Sequence, residues 1–254
     1  MRLEGMVAVI TGGAEGMGRS TAALFAREGA SVVVGDINTE QGASLVAEVE
    51  AAGGTITFQP CDVSKEAEVA ALVATAEDTY GKLDTIFNNA GISQPRTPTC
   101  EVTEELFDKV ISVNLKGTFF GCKHALPALL RNGGGTIVNN SSVAAFANVG
   151  GNVSYASSKG GVMSMTRVIA VEYAERNIRC NAINPGPIDT PMQQRSRAKA
   201  TDLDAHDKAW RDMIPMKRMG TGDEISEAVL FLASQQSSFV TGIGLLIDGG
   251  RVAT

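Results

Sequence analysis

Short β-rich runs alternate with longer helical segments along most of this chain, and this alternation limits the folds it can adopt. Six runs are rich in Val, Ile and Thr, and a seventh, short one follows them. They are Val7–Ile10, Ser31–Gly35, Thr55–Gln59, Thr85–Phe87, Thr136–Asn139, Arg179–Ile183 and, last, Leu245–Ile247. Several are nearly continuous apolar runs, which is typical of strands covered on both faces. The spacing predicts an α/β fold with a doubly wound, seven-stranded parallel sheet and helices on both faces.

Helix-length segments fill the gaps between these runs. They are Gly16–Glu28, Thr39–Ala52, Ser64–Tyr80, Glu104–Arg131, Ser154–Arg176 and Asp223–Ala233. Gly29, Gly53 and Gly81 follow the first three, as expected where helices end. Ser64 is the predicted N-cap of the third helix, with acidic residues in its first turn.

No linker or composition shift divides the 254 residues, so we expect a single domain over residues 1–254. The one long irregular stretch covers residues 189–215 and has Pro191 near its start. Loops of that length inside a compact domain are usually functional, which predicts a lid over a substrate site.

Composition excludes several classes of function. The formal net charge is −6 and no basic block occurs, which argues against nucleic acid or an anionic membrane as partner. The first ten residues hold a five-residue apolar run, too short for a signal peptide core, so a cytoplasmic location is expected. The four cysteines lack paired spacing and His124 lies far from His206, so we expect reduced cysteines and no metal site.

A glycine-rich segment, Thr11–Gly18, follows the first predicted strand and opens the first predicted helix. Glycines let a backbone turn sharply and approach a pyrophosphate, and the N–H groups at a helix start favour an anion. The spacing differs from the common G-x-G-x-x-G fingerprint, and a turn without a ligand is the alternative. The strand before it and the helix after it favour a nucleotide site.

Asp36 ends the second strand, eighteen residues after Gly18. A carboxylate at that place can bind both hydroxyls of the adenosine ribose and would repel a 2′-phosphate. No Arg or Lys follows it directly, and the glycine segment carries Glu15 and no base. These features favour NAD over NADP, with a solvated turn aspartate as the alternative.

Tyr155 and Lys159 are four residues apart at a predicted helix start, so their side chains share one face. A nearby ammonium favours the phenolate form of tyrosine, which suits a general acid or base. The pair alone is common by chance. Ser141 and Ser142 end the fifth strand, at the edge where doubly wound sheets place ligands.

Taken in order, these motifs resemble the short-chain dehydrogenase/reductase family of the single-domain kind, essentially from end to end. The resemblance rests on Thr11–Gly18, Asp62-Val63, Asn88-Asn89-Ala90-Gly91, Asn114, Ser142, Tyr155-x-x-x-Lys159 and Pro185-Gly186-Pro187-Ile188-Asp189-Thr190. It implies a Rossmann-type sheet and an NAD-dependent dehydrogenase that exchanges a hydride between a secondary alcohol and nicotinamide.

The resemblance also implies roles for four catalytic residues. Tyr155 donates or accepts the alcohol proton, and Ser142 binds the substrate oxygen. The thirteen-residue spacing to Tyr155 selects Ser142 over Ser141. Lys159 lowers the pKa of the tyrosine and binds the nicotinamide ribose. Asn114 would lie at an irregularity in its helix and hold a water in a proton relay. Without the resemblance, the sequence suggests an ordinary mid-helix asparagine.

Nineteen residues are implied for the cofactor, with Asp62 and Val63 around the adenine and Ile188 and Thr190 at the carboxamide. The set is Gly12, Glu15, Gly16, Met17, Gly18, Asp36, Ile37, Asp62, Val63, Asn89, Ala90, Gly91, Tyr155, Lys159, Pro185, Gly186, Ile188, Thr190 and Met192.

Substrate contacts are predicted from position only, at Ser142, Phe146, Asn148, Tyr155, Met192 and Trp210. An apolar pocket would suit a neutral, hydrophobic ketone or alcohol such as a cyclic, aryl or steroid-like one. The alternative is that half of these side chains pack the lid onto the body. The lid cations Arg195, Arg197 and Lys199 precede several aspartates, which favours a solvated, self-paired helix over an anion clamp.

Two rival functions stay open. A 3-oxoacyl-carrier reductase of the same family usually uses NADPH and needs a basic docking surface, which Asp36 and the net charge oppose. A nucleotide-binding regulator without catalysis typically lacks the tyrosine or the lysine. The resemblance further implies a homotetramer, formed through the two longest helices and through the last helix and strand, with residues 248–254 able to reach a neighbour's site.

Overall fold

One seven-stranded, all-parallel sheet organises the computed structural model, which describes residues 1–148, 150–198 and 202–253. Its strand order is β3-β2-β1-β4-β5-β6-β7. The strands are β1 Val7–Thr11, β2 Ser31–Asp36, β3 Thr55–Pro60, β4 Thr85–Asn88, β5 Gly135–Asn140, β6 Ile178–Pro185 and β7 Gly244–Ile247. The predicted Rossmann-type sheet is confirmed.

Nine α-helices occur in the described part of the chain. They are α1 Gly16–Arg27, α2 Thr39–Ala51, α3 Glu66–Tyr80, α4 Glu104–Ile111, α5 Gly117–Arg131, α6 Val153–Tyr173, α7 Pro191–Arg197, α8 Leu203–Asp212 and α9 Gly222–Ala233. None of the described helices is both long enough and apolar enough to cross a membrane.

The strands bury side chains on both faces, which explains their nearly continuous apolar sequences. In β1, Ala8 and Ile10 join a core layer with α1, α2 and α9. Val7 and Val9 join the opposite layer with α3, α5 and α6. This alternation follows from the two-residue period of a strand. The two core layers therefore share a single sheet.

The strand order places a switch point between β1 and β4. The chain runs from β1 outward to β2 and β3, then returns to the other side of β1. Thr11 pairs with Asn88, and Asn88 pairs with Asn139, so the carboxyl ends of β1, β4 and β5 are level. Ligands bind at such crevices in open parallel sheets.

Two local predictions, the N-cap of α3 and the irregular stretch after β6, need correction, and the helix predicted over 104–131 is divided where the resemblance implied an irregularity. Ser64 does not cap α3, because its N–H and hydroxyl both bond to Asp62 Oδ1, at 3.0 and 2.7 Å, and the helix begins two residues later at Glu66. A π-helical turn, Ser112–Lys116, interrupts the helix predicted over 104–131. The stretch 189–215 contains α7 and α8 and is not mainly irregular.

The described cysteines are all free thiols, and burial raises the pKa of Cys61 and Cys122 to about 12. Such thiols stay protonated and chemically inert near neutral pH. Within the described residues, no three His, Cys, Asp or Glu side chains cluster as metal ligands would.

Close packing of α5 on β4 gives a prediction. A Cβ at Gly121 would collide with Oδ1 of Asn88. The Asn88 side chain is buried, and its Nδ2 donates to Asn139 Oδ1 at 2.9 Å. We expect Gly121→Ala to lower the free energy of unfolding by about 1–3 kcal/mol, as overpacking usually does. Urea unfolding followed by circular dichroism measures this change.

The matched control is Gly160→Ala in α6, where an added Cβ meets no described atom within 4 Å. The free energy of unfolding of this variant should be unchanged or rise by up to about 1 kcal/mol, since Ala has a higher helix propensity than Gly. Equal unfolding midpoints for the two variants would contradict the packing argument.

Candidate active site

A cavity of about 1260 Å³ runs along the carboxyl edge of the sheet. Its walls come from the glycine segment, the ends of β2, β4, β5 and β6, the first turns of α6, and the lid helices α7 and α8. Typical small-ligand pockets measure roughly 300–1,000 Å³. This cleft therefore has room for an extended dinucleotide and a second molecule.

The glycine segment fits closely against the end of β4. Gly12 has a φ of +63°, and a Cβ there would lie 2.7 Å from the Cα of Ala90. A Cβ on Gly18 would strike the carbonyl of Gly12 and come within 2.6 Å of Asn89 Nδ2. Side chains at either position would push the loop away from its place. The segment thus forms a cradle that a phosphate group can approach closely.

The start of α1 offers N–H groups to an anion. Within the described chain, the side chain of its N-cap Glu15 makes no capping hydrogen bond, and the first turn contains no acidic residue. The first N–H groups of a helix lack partners inside the helix and carry its positive dipole end. A pyrophosphate would satisfy these donors.

Asp36 lies half-buried at the end of β2, next to this loop. Its Oδ2 accepts the N–H of Ala14 at 3.0 Å, and its Oδ1 accepts the N–H of Asn38 at 2.9 Å. An ionised carboxylate has about four acceptor positions, so capacity remains for two ribose hydroxyls. Glu15 Oε1 accepts from Asn38 Nδ2 at 3.1 Å on the same side.

Asp62 and Val63 form the wall at the end of β3. Two hydrogen bonds from Ser64 hold the pKa of Asp62 below its ordinary value, so its carboxyl is ionised at neutral pH. Val63 is buried and packs closely on Gly117, where a Cβ would lie 2.8 Å from its Cγ2. All nineteen predicted cofactor residues except Gly18 line the cavity.

Lys159 projects from α6 toward the end of β5. Its Nζ donates to the carbonyl of Asn140 at 2.6 Å. The side chain is 2% exposed, and burial lowers the pKa of the ammonium to about 8. Lys159 is therefore a buried cation at neutral pH that readily gives up its proton.

Tyr155 and Ser142 meet in the same part of the cleft. Burial raises the pKa of the tyrosine hydroxyl above its ordinary value, and a hydrogen bond with Ser142 acts in the opposite direction. Lys159 Nζ lies 5.7 Å from the centre of the Tyr155 ring. The lowering of the tyrosine pKa by Lys159 stays a prediction.

The choice of Ser142 over Ser141 has a structural basis. The Ser141 hydroxyl donates to the carbonyl of Lys159 at 2.9 Å, which uses it to hold α6 against β5. Ser142 Oγ accepts the N–H of Ala144 at 3.1 Å, and its own proton can point elsewhere. Ser142 can thus donate to a substrate oxygen, whereas Ser141 serves the scaffold.

Asn114 lies in the π turn, so the predicted helix irregularity is confirmed. Its Nδ2 donates to the carbonyl of Ile92 at 3.0 Å and to Ser158 Oγ at 3.2 Å. Its Oδ1 accepts the N–H of Ile92 at 2.8 Å. The side chain is fully buried and fastens the loop after β4 to α6. A role in a water relay stays a prediction.

Several residues have roles that local motifs do not indicate. Gln94 Oε1 accepts the N–H of Tyr155 at 3.0 Å, and its Nε2 donates to the carbonyl of Gly151 at 3.3 Å. Gln94 therefore holds the first turn of α6 in place. Arg96 and Arg251 line the same end of the cavity, and neither belongs to a motif used above.

Of the substrate contacts predicted from position, Ser142, Asn148, Tyr155, Met192 and Trp210 line the cavity. Phe146 departs from the prediction. Its side chain is 48% exposed at the end of the 3₁₀ turn Val143–Ala145, and it is not among the described residues that line the cavity.

Ion pairs hold the two helices of the predicted lid, α7 and α8. Arg197 binds Asp207 across α7 and α8 at 2.8 Å, which agrees with the predicted self-pairing of the lid charges. Arg195 binds Glu15 of the glycine segment at 3.1 Å. Lys199, the third of the lid cations named from the sequence, lies outside the described residues.

Comparison with known proteins agrees with this geometry. A family model described as enoyl-(acyl carrier protein) reductase matches residues 12–251. The 3-oxoacyl-[acyl-carrier-protein] reductase of Thermotoga maritima is 42% identical over 252 residues, covering 99% of this chain and 100% of that protein. Levodione reductase of Leifsonia aquatica is 40% identical over 257 residues, covering 99% of this chain and 96% of that protein.

The crystal structure of a levodione reductase superposes with a TM-score of 0.96 at 38% sequence identity, covering 100% of both chains. These relatives differ in the substrates they are named for and agree in being oxidoreductases. Since the similarity spans the whole chain and its motifs, this protein belongs to the short-chain dehydrogenase/reductase family, whose enzymes use a nicotinamide cofactor.

Proposed function

We propose that the protein is an NAD-dependent oxidoreductase that interconverts a secondary alcohol and a ketone, with Tyr155 as general acid and base. The observation that carries the proposal is the meeting of Ser142, Tyr155 and Lys159 in one cleft. The acidic ribose site, Asp36, lies in the wall of the same cleft.

The chain's own residues are suited to hold the cofactor and move the proton. The cradle at Gly12 and the start of α1 would bind the pyrophosphate, and Asp36 the adenosine ribose. Bound nicotinamide supplies or accepts the hydride. Ser142 donates a hydrogen bond to the substrate oxygen, and Tyr155 gives its proton to that oxygen in reduction and removes it in oxidation. Lys159 places a positive charge near the phenolate that forms.

Apolar groups support a substrate with a hydrophobic body, such as a cyclic, aryl or steroid-like one. Met192, Trp210 and Met213, on or next to α7 and α8, line the cavity together with Val143, which follows β5. Methionine and aromatic side chains adapt well to bulky apolar ligands.

The second candidate is a 3-oxoacyl-carrier reductase, favoured by the name of the 42% identical relative. Asp36 and the net charge of −6 favour the first function. A carrier-linked substrate turned over with NADPH far faster than any free alcohol or ketone would establish the second candidate.

Exposed apolar side chains support the homotetramer expected from the resemblance. Phe119 of α5 and Val171 of α6 are 46% and 82% exposed, and Phe239 and Leu246 near β7 are 103% and 44% exposed. Both groups lie on the elements expected to form subunit contacts. Apolar patches of this kind mark interfaces in soluble proteins.

The proton-transfer role gives the first test. Tyr155→Phe should reduce turnover of a secondary alcohol about 100-fold or more, because general acid–base catalysis contributes at least that much. NAD affinity should be unchanged, since the ring remains in place. The rate is measured as NADH absorbance, and the affinity by calorimetry.

Tyr173→Phe is the matched control, because it also removes a tyrosine hydroxyl, but at the last residue of α6. Substantial activity in Tyr155→Phe, or equal losses in both variants, would refute the assigned role.

The ribose site gives the second test. Asp36→Asn removes the carboxylate charge and should lower the ratio of kcat/KM with NAD to kcat/KM with NADP. Loss of charged hydrogen bonds worth roughly 1.5–3 kcal/mol corresponds to a reduction of that ratio by about tenfold or more. Asp78→Asn, at an exposed position of α3, serves as control. An unchanged ratio in Asp36→Asn would remove Asp36 from cofactor selection.

Buried Lys159 gives a test that does not depend on turnover. The folded protein releases its proton near pH 8 and the unfolded chain near the ordinary pKa of 10.5. Between these values the unfolded state binds more protons, so Lys159 makes stability rise with pH. The cost of the buried charge is fully present below pH 8 and disappears toward pH 10.5.

Relative to Lys159→Met, wild-type stability without cofactor should therefore rise by about 3 kcal/mol across that interval. Urea unfolding of both proteins at several pH values measures the difference, in which the titration of the buried thiols cancels. A pH-independent difference would show that Lys159 keeps an ordinary pKa.

A further inference from the structure

The first turn of α6 contains Tyr155 but has no side-chain cap from its own segment. The N–H groups ahead of Ala156, which donates to the carbonyl of Asn152 at 2.9 Å, have no acceptor inside the helix. Asn152 occupies the N-cap position and belongs to the residue types that usually cap helices. Its side chain nevertheless makes no capping hydrogen bond within the described chain. The residue proposed to transfer the proton therefore lies in a turn that depends on an acceptor from elsewhere.

Gln94 supplies that acceptor from the loop after β4, 61 residues away in the chain. Its Oε1 accepts the N–H of Tyr155, the third residue of α6, at 3.0 Å, and its Nε2 donates to the carbonyl of Gly151 at 3.3 Å. An N–H can only donate and a carbonyl can only accept, so these partners fix which way the amide points. Gln94 is 9% exposed, so little water reaches this bond.

The loop that carries Gln94 is itself fixed on both sides. The Asn114 side chain accepts the N–H of Ile92 at 2.8 Å and donates to the carbonyl of Ile92 at 3.0 Å. Thr97 donates its N–H to the carbonyl of Gly151 at 3.0 Å. Because Gln94 lies between these two attachments, it can hold the start of α6 instead of moving with it.

The carbonyl of Tyr155 is also held by a side chain. Ser158 Oγ donates to this carbonyl at 2.7 Å and accepts Asn114 Nδ2 at 3.2 Å. The backbone of Tyr155 is thus fixed at its N–H by Gln94 and at its carbonyl by Ser158. These bonds tie the first turn of α6 to the loop after β4 and to the π turn at Asn114.

A proton is transferred only across hydrogen-bond distances, and a displacement of about 1 Å can slow a reaction greatly. The Tyr155 hydroxyl has a hydrogen-bond partner in Ser142. We propose that Gln94 is a positioning residue: by capping α6 from the loop after β4, it keeps the Tyr155 hydroxyl where it meets Ser142 and the substrate oxygen. Gln94 acts through the backbone of Tyr155 and transfers no proton. The inference rests on the proposed function.

The first measurement separates kcat from KM. Gln94→Met keeps the length of the side chain and removes the acceptor. Its kcat for a secondary alcohol should fall about fivefold or more, the size expected for the loss of a helix cap. The KM for the alcohol and the Kd for NAD⁺ should stay within about twofold of wild type, since the side chains in the cleft remain. Gln236→Met, at an exposed position after α9, is the matched control and should change none of these values.

The second measurement needs no turnover. Amide hydrogen exchange requires the hydrogen bond of the N–H to open, so it reports the cap directly. In the protein without cofactor, the N–H of Tyr155 should exchange about fivefold faster or more in Gln94→Met than in wild type. Exchange in α9 should be equal in both proteins, which shows that the opening is local. Gln236→Met should exchange as wild type at Tyr155.

Gln94→Glu tests the acceptor atom itself. A carboxylate of the same reach can accept the N–H of Tyr155, and a negative charge is favourable at a helix start. This variant should restore slow exchange at Tyr155 and part of the lost kcat. Equally fast exchange in Gln94→Glu and Gln94→Met would assign the effect to the loop and overturn the proposal. If Gln94→Met does not fold, Gln94→Asn takes its place, because its amide is too short to reach.

The remaining outcomes are distinct. Unchanged exchange at Tyr155 in Gln94→Met would overturn the cap, and faster exchange with an unchanged kcat would overturn its role in positioning. A raised KM with an unchanged kcat would make Gln94 a substrate contact and would also overturn the proposal. Failure of the proposed function looks different: wild type would turn over no alcohol or ketone with NAD⁺ or NADH, while exchange at Tyr155 would still report the cap.

Discussion

The contact between the glycine segment and the end of β4 is the constraint on which the cleft depends. Asn89 Nδ2 donates to the carbonyls of Thr11 and Gly12 at 3.1 and 2.7 Å, and its N–H donates to Thr11 Oγ1 at 3.0 Å. These bonds join β1 to β4 across the switch point of the sheet. Because Gly12 lies on Ala90 without a side chain between them, the cradle and the loop leading to the proposed reaction centre form one unit.

A second set of contacts transmits this order to the reacting groups. The Asn114 side chain joins the backbone of Ile92 to Ser158, and Ser158 Oγ donates to the carbonyl of Tyr155 at 2.7 Å. Lys159 is held by the carbonyl of Asn140. Buried polar groups of this kind are costly unless paired, so the network tolerates few arrangements. Preorganisation of this sort is what proton transfer between fixed partners requires.

Local sequence signals predicted the seven strands to within a few residues, because strand period and glycine stops act over short distances. Gly81 takes the left-handed conformation at the end of α3, as its position predicted. Contacts between distant segments could not be predicted in that way. The hydrogen bond between Gln94 and the N–H of Tyr155 depends on how the loop after β4 meets the first turn of α6 at one edge of the sheet. The π turn at Asn114 has no local signal, and only the family resemblance indicated it.

Asp36 carries out a structural task in addition to the one proposed for it. Its carboxylate accepts the N–H groups of Ala14 in the glycine segment and of Asn38 after β2. A protein engineer who replaced Asp36 to admit a phosphorylated ribose would leave both N–H groups without their acceptor. Redesign of the cofactor preference in this scaffold is therefore a problem of the whole loop. The incoming side chain has to supply those two hydrogen bonds, or the backbone at Ala14 and Asn38 has to be rebuilt with it.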